Sequence, residues 1–162
     1  NMSKIGLFGR GTSIKAYNTV ISNCGSYCAA FTIGGNYQMD HCTLGNYWAS
    51  SYGERKTPAL LINNWFQSAS LQYIPRDLSA ATFNNCIIYG NDNPELLLEK
   101  EPSDVFNFKF TNSLIYFDDP TDFYSDSQYD FTNTDYYENV RFNAAPLFLN
   151  PDLRAQLGIE DE

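Results

Sequence analysis

Phe83-Asn84-Asn85-Cys86-Ile87-Ile88 and Phe110-Thr111-Asn112-Ser113-Leu114-Ile115 follow one plan. An apolar residue, any residue and an Asn are followed by two or three residues ending in a large apolar one. The same plan, with a small or apolar first residue and Asn or His as anchor, is met earlier in the chain. It reads Ala16-Tyr17-Asn18-Thr19-Val20-Ile21, Met39-Asp40-His41-Cys42-Thr43-Leu44 and Leu61-Ile62-Asn63-Asn64-Trp65-Phe66. The five anchors lie 23, 22, 22 and 27 residues apart. A near-constant period in this range marks an architecture in which no unit buries its own apolar face and each must stack on the next.

Alternation on either side of the anchor predicts inward columns. One is Ala16, Met39, Leu61, Phe83, Phe110; another is Thr19, Cys42, Asn64, Cys86, Ser113; the third is Ile21, Leu44, Phe66, Ile88, Ile115. The anchor suits a tight bend between short strands, because Asn tolerates the left-handed conformation, and stacked amides can hydrogen-bond along the column. His41, the single histidine, stands on one step of that ladder. A leucine-rich repeat needs leucines at fixed offsets and a helix in most units. These segments are instead aromatic and β-branched, with turn signals at Asn23-Cys24-Gly25-Ser26, Gly34-Gly35-Asn36 and Gly90-Asn91-Asp92-Asn93-Pro94. The expected fold is all-β: a right-handed parallel β-helix solenoid of about five rungs, each adding about 4.8 Å, with a C-terminal aromatic and acidic extension.

Ile14 through Asn23, Gly34-Gly35-Asn36-Tyr37 through His41-Cys42-Thr43, and Asn46-Tyr47-Trp48 resemble the pectate-lyase-like β-helix superfamily. Within it they are closest to surface proteins, of uncharacterised type, of Gram-negative gut anaerobes. Ala145-Pro146-Leu147-Phe148-Leu149-Asn150-Pro151 resembles the segment that follows the last rungs in such proteins. The resemblance covers roughly residues 5–151 and implies the fold more strongly than any activity.

The chain has 162 residues and a net charge of −9, with 10 Lys+Arg against 19 Asp+Glu. Nucleic acid and anionic membranes are therefore poor partners, and no apolar run is long enough to span a bilayer. Aromatic residues reach 16%, more than a five-rung core requires. Asn1-Met2-Ser3-Lys4 is no signal peptide, and it leads straight into Ile5-Gly6-Leu7-Phe8-Gly9, which reads as the tail of another rung. Solenoids need polar caps. The expectation is a C-terminal part of a longer protein, with the export signal on the missing part and a cell-surface or extracellular location, secreted or as a lipoprotein.

Residues 1–117 are expected to hold the rungs, and 118–162 an extension packed on them, with a short helix near 151–158. Inserts at 47–57 and 91–105 are expected to project as loops. Cys24 and Cys28 are close enough in sequence to close a small disulfide loop, or to stay as two thiols in a turn. Cys42 and Cys86 are placed two rungs apart, roughly 9.6 Å, beyond disulfide reach, and so read as buried free thiols. An outward apolar stripe at Val20, Thr43, Trp65, Ile87 and Leu114 calls for cover by the extension, the loops, a partner or a glycan.

No catalytic set is read from the chain. Lyases of the resembled superfamily use Ca²⁺ held by clustered carboxylates with a basic residue beside the substrate. The nearest cluster is Asp118, Asp119 and Asp122, which equally reads as a solvated acidic turn. Asp40 is an isolated carboxylate on the repeated strands rather than half of a pair. The expected ligand site is the first insert: Tyr47, Trp48 and Tyr52 offer stacking faces, and Arg55 and Lys56 a positive tip for an acidic sugar. These readings make the chain a non-catalytic β-helix module that binds polysaccharide or scaffolds the missing N-terminal part of the same protein, without a cofactor. The alternatives are the C-terminal part of a polysaccharide lyase or glycoside hydrolase, and an adhesin or assembly module.

Overall fold

The computed structural model describes residues 4–48 and 55–148, in which no α-helix occurs. The strands are β1 (Ile5–Tyr17), β2 (Val20–Ser22), β3 (Tyr27–Asp40), β4 (Thr43–Asn46), β5 (Leu60–Asn63), β6 (Trp65–Gln67), β7 (Tyr73–Pro75), β8 (Leu78–Asn84), β9 (Ile87–Gly90), β10 (Leu96–Glu99), β11 (Phe106–Thr111), β12 (Leu114–Ile115), β13 (Tyr137–Glu138) and β14 (Arg141–Phe142). Every pairing is parallel except the β6–β7 hairpin. One sheet runs β10-β5-β3-β8-β11-β13, with β1 also on β3; the other runs β14-β12-β9-β4-β2.

Five strands of the first sheet, β1, β3, β8, β11 and β13, each leave it through a single left-handed residue and enter the second, whereas β5 and β10 do not. These corner residues are Asn18 (φ 49°), His41 (55°), Asn85 (52°), Asn112 (50°) and Asn139 (54°), all exposed. Asn populates this conformation because its short polar side chain offsets part of the steric penalty. Asn139 Nδ2 donates to Asn112 Oδ1 at 2.6 Å, one link of the expected amide ladder.

The strand β3 is long enough to serve two neighbours. Ala29–Phe31 lies beside Leu60–Ile62, and Gly35–Asp40 beside Leu78–Asn84. Ile33, Gly34 and Gly35 all have positive φ at the bend between the halves. A Cβ on Gly34 would sit 2.3 Å from the Asp77 carbonyl oxygen, so the close approach of the next pass requires glycine there.

Three expectations change. Asn63 is not in the corner column. Met39 pairs directly with Phe83, and β5 runs beside the first half of β3 instead. The 22-residue steps on either side of Asn63 therefore add up to one real step from His41 to Asn85. Trp65 and Phe66 leave the stack in the β6–β7 hairpin, so Phe66 is only half-buried, with the Arg76 guanidinium 5.5 Å from its ring centroid. The repeat also outlasts residue 117: Tyr137-Glu138-Asn139-Val140-Arg141-Phe142 forms a further pass, paired to β11 and β12.

The core follows the other inward columns. Met39, Phe83 and Phe110 are buried in one register, as are Leu44, Ile88 and Ile115 in the second sheet. Phe83 stacks on Phe110 with centroids 4.6 Å apart, and Phe110 on Tyr137 at 5.7 Å. Residues 118–136 pack on this core through Tyr124, Tyr129, Phe131 and Tyr136 around Phe117 and Phe108. The helix expected near 151–158 lies outside the described residues.

All four cysteines are buried free thiols. The displacement of the Asn63 unit brings Cys42 and Cys86 onto adjacent strands rather than two rungs apart, since Thr43 pairs with Ile87. Their Sγ atoms donate instead to carbonyls, Cys42 to Ala16 and Asp40, Cys86 to Met39 and Asn84. The outward stripe is partly open: Val20 is 73% exposed, while Thr43, Ile87 and Leu114 are half-buried.

Candidate functional site

The first insert was expected to project with Arg55 at its tip, but Arg55 turns inward. Arg55 is 8% exposed. Its Nη2 lies 2.5 Å from Glu95 Oε1, and its Nη1 donates to Glu95 Oε2 at 2.9 Å. The same guanidinium donates to the carbonyls of Asn46 and Thr57, which ties the insert to the end of β4. Glu95 also accepts from the N–H groups of Ala59 (2.7 Å) and Asp92 (2.9 Å). Burial pushes its carboxyl up, and the Arg55 guanidinium and these N–H groups pull it back. Such a bidentate pair is a clasp between two connections. Both Nη groups of Arg55 are taken up inside the protein, and its Nε is buried without an acceptor.

Tyr47 and Trp48 are also committed. Tyr47, Tyr89 and Tyr116 stack outside the second sheet, with centroids 6.3 and 4.9 Å apart, and Phe148 meets Tyr47 edge-on. Desolvation, with Tyr89 and Glu95 nearby, pushes the Tyr47 hydroxyl up to about 12. Trp48 packs its ring near Gly25, and its backbone N–H and carbonyl are both held by the Asn91 amide. Lys56 is exposed. Tyr52 lies outside the described residues. Among the described residues, Tyr47, Trp48, Arg55 and Lys56 do not share one open surface.

The acidic trio does not converge either. Asp119 accepts from the Tyr124 N–H at 2.7 Å and from Thr121 Oγ1 at 3.2 Å, which holds its carboxyl below the usual carboxylate range. It fixes a turn, with Asp122 at φ 52° beside it. Among the described residues, no three His, Cys, Asp or Glu side chains are grouped to hold a metal ion.

A different place combines stacking faces with polar groups. A groove of about 370 Å³ opens between the β6–β7 hairpin, the end of β10 and the segment 123–129. Its walls carry Trp65, Phe123 and Tyr124 with Glu99, Lys100 and Asp126, above the buried Leu98 and Tyr129. Each element has a physical reason to be there. Asn64, fully buried, accepts from Glu101 N–H and donates to the Glu101 and Val105 carbonyls, anchoring the base of the hairpin that presents Trp65. Trp65 is braced edge-to-face on Tyr73 at 4.7 Å. Glu99 accepts from Asn63 Nδ2, and Asp126 from Gln128 Nε2, each at 3.3 Å. Phe123 is 76% exposed, with no core duty to explain it.

This groove escaped the sequence reading because Trp65 was placed in the repeat and Phe123 among residues packed on it. No local signal separates them: Asn63-Asn64 before Trp65 reads like Asn84-Asn85 before Cys86, which is a true corner. A smaller groove of about 280 Å³ follows the corner column beside Asn85, Asn112, Asn139 and Arg141, and has no aromatic face. No family model matches this chain, and no curated protein or solved structure matches it.

Proposed function

We propose that the chain is a right-handed parallel β-helix module of the pectate-lyase-like kind, exported to the cell surface or beyond, and that it binds polysaccharide without cleaving it. The winding is supported by the five strands that pass from one parallel sheet into the other and by the left-handed corners between them. The observation that carries the binding role is the groove of Trp65, Phe123 and Tyr124 beside Glu99, Asp126 and Lys100. Sugars present apolar C–H faces that stack on aromatic rings and a rim of hydroxyls that need polar partners. The groove supplies both on three separate elements.

The binding reading is favoured over catalysis because the groove's two carboxylates are already acceptors of side-chain amides, and acid/base chemistry requires a positioned donor and acceptor around a scissile bond. The test is a glycan array followed by calorimetry on this chain and on Trp65→Ala and Phe123→Ala. Binding to at least one polysaccharide that both substitutions weaken is expected. Array binding unchanged by either substitution would move the site elsewhere, and release of new reducing ends or unsaturated products would replace binding with catalysis.

A further inference from the structure

We infer that the groove between Trp65 and Phe123 prefers glycans with free amino groups, polymers of amino sugars, over neutral and uronate-containing ones; this rests on the carbohydrate reading above. The basis is the sign of the charge at the site. The sequence placed Arg55 at a positive tip, which would have favoured an acidic sugar. The structure spends Arg55 on Glu95 inside the protein. What remains around the open aromatic faces is two carboxylates, Glu99 and Asp126, against one lysine, Lys100.

The arrangement suits an ammonium in two ways. A hexose stacked flat on Trp65 or Phe123 directs its equatorial substituents sideways, toward the walls that hold Glu99 and Asp126. An ammonium there gains a charge-assisted hydrogen bond, and one placed over a ring face gains the attraction of a cation for an aromatic quadrupole. The two carboxylates are held in place by the amides of Asn63 and Gln128, and the single Lys100 in the groove offsets only part of their charge. The segment that supplies Phe123 carries Asp118, Asp119, Asp122 and Asp130 as well, in a chain of net charge −9. That field attracts a polycation and repels a polyuronate.

The experiment compares four hexamers by calorimetry at about pH 6, where a sugar amine is protonated: glucosamine, N-acetylglucosamine, β-1,4-linked glucose and galacturonate. At low ionic strength the glucosamine hexamer should bind about tenfold more tightly than its N-acetylated counterpart, with the gap closing as salt is added. Glu99→Gln and Asp126→Asn, which keep shape, should each narrow that ratio, and their unchanged melting temperatures would show that folding is intact. Equal affinity for the glucosamine and N-acetylglucosamine hexamers overturns the charge preference and leaves carbohydrate binding standing. Tighter binding of the galacturonate hexamer also overturns it. Binding of none of the four overturns the preference and the carbohydrate reading together.

Discussion

The Tyr129 hydroxyl accepts a hydrogen bond from the Leu98 N–H at 2.8 Å and donates one to the Leu98 carbonyl at 3.0 Å. Strand β10 ends its sheet, with β5 on one side and no strand on the other among the described residues. A single side chain thus satisfies both polar groups that a further strand would have taken. Exposed edges template aggregation unless they are covered. Here the cover is the aromatic segment that also forms one wall of the groove.

Tyr129→Phe therefore tests edge protection apart from packing, because the ring stays. Leaving a buried N–H and carbonyl unpaired costs about 1–3 kcal/mol. Denaturant unfolding should show a loss in that range, and amide exchange at Leu98 should speed up more than at Phe110, whose N–H bonds to the Tyr136 carbonyl. A Leu98 amide that exchanges at its original rate would show that the hydroxyl has no such role.

The Arg55–Glu95 clasp should matter to stability and not to ligand. Removing one partner of a buried pair strands the other charge, at a cost of about 3–5 kcal/mol. Arg55→Ala and Glu95→Ala should each fall in that range. Gly90→Ala should also destabilise, because a Cβ there would meet Glu95 Oε1. Glycan affinity measured on whatever fraction stays folded should match that of the unaltered protein. A loss of affinity in Arg55→Ala with stability preserved would return Arg55 to the binding surface.

Alkaline pH should loosen the fold. Burial pushes the Cys86 thiol from its ordinary 9.0 up to about 12, the Tyr47 hydroxyl from 10.0 to about 12, and the Cys28 thiol, Tyr129 and Tyr137 upward as well. A group with a raised folded-state value holds its proton longer in the folded state than in the unfolded one. Its contribution is complete below the unfolded value and is lost as pH rises through the folded one. Urea midpoints should thus fall progressively between about pH 9 and pH 12, and a thiol reagent at pH about 8 should label the cysteines only after unfolding. Fast labelling of the native protein would contradict the burial of these thiols.

The sequence made the inward columns legible at Met39, Phe83, Phe110, Leu44, Ile88 and Ile115, because alternation about an anchor is a local property of the chain. It misled at Asn63, where the same local pattern serves a different neighbour. Nothing within six residues distinguishes a corner from a strand end whose amide is used elsewhere. Tyr137 through Phe142 was within reach: Asn139 follows Asn112 by 27 residues, the same step that separates Asn112 from Asn85. The acidic and aromatic composition just before it hid the match. The groove was illegible for another reason, since Trp65, Glu99 and Phe123 come from three distant segments, and only the register Asn63↔Glu99 together with the folding-back of 123–129 brings them together.

The reassignment of Asn63 yields a prediction with opposite signs at two asparagines. At Asn112 the backbone is left-handed, so the penalty belongs to the Cβ. Glycine avoids it and Ala does not, by about 1–2 kcal/mol. Asn112→Gly should therefore be more stable than Asn112→Ala. At Asn63 no left-handed backbone is involved, and the side chain does the work: Oδ1 accepts from the Ile33 N–H at 2.9 Å and Nδ2 donates to Glu99. Both substitutions lose those bonds, and glycine adds its greater unfolded-state entropy inside a strand, about 0.5–1 kcal/mol. Asn63→Gly should therefore be less stable than Asn63→Ala. Chemical denaturation of the four variants decides it. The same order at both sites would put Asn63 back in the corner column, whereas reversed orders fix it as the residue that holds the bend of β3 at Ile33.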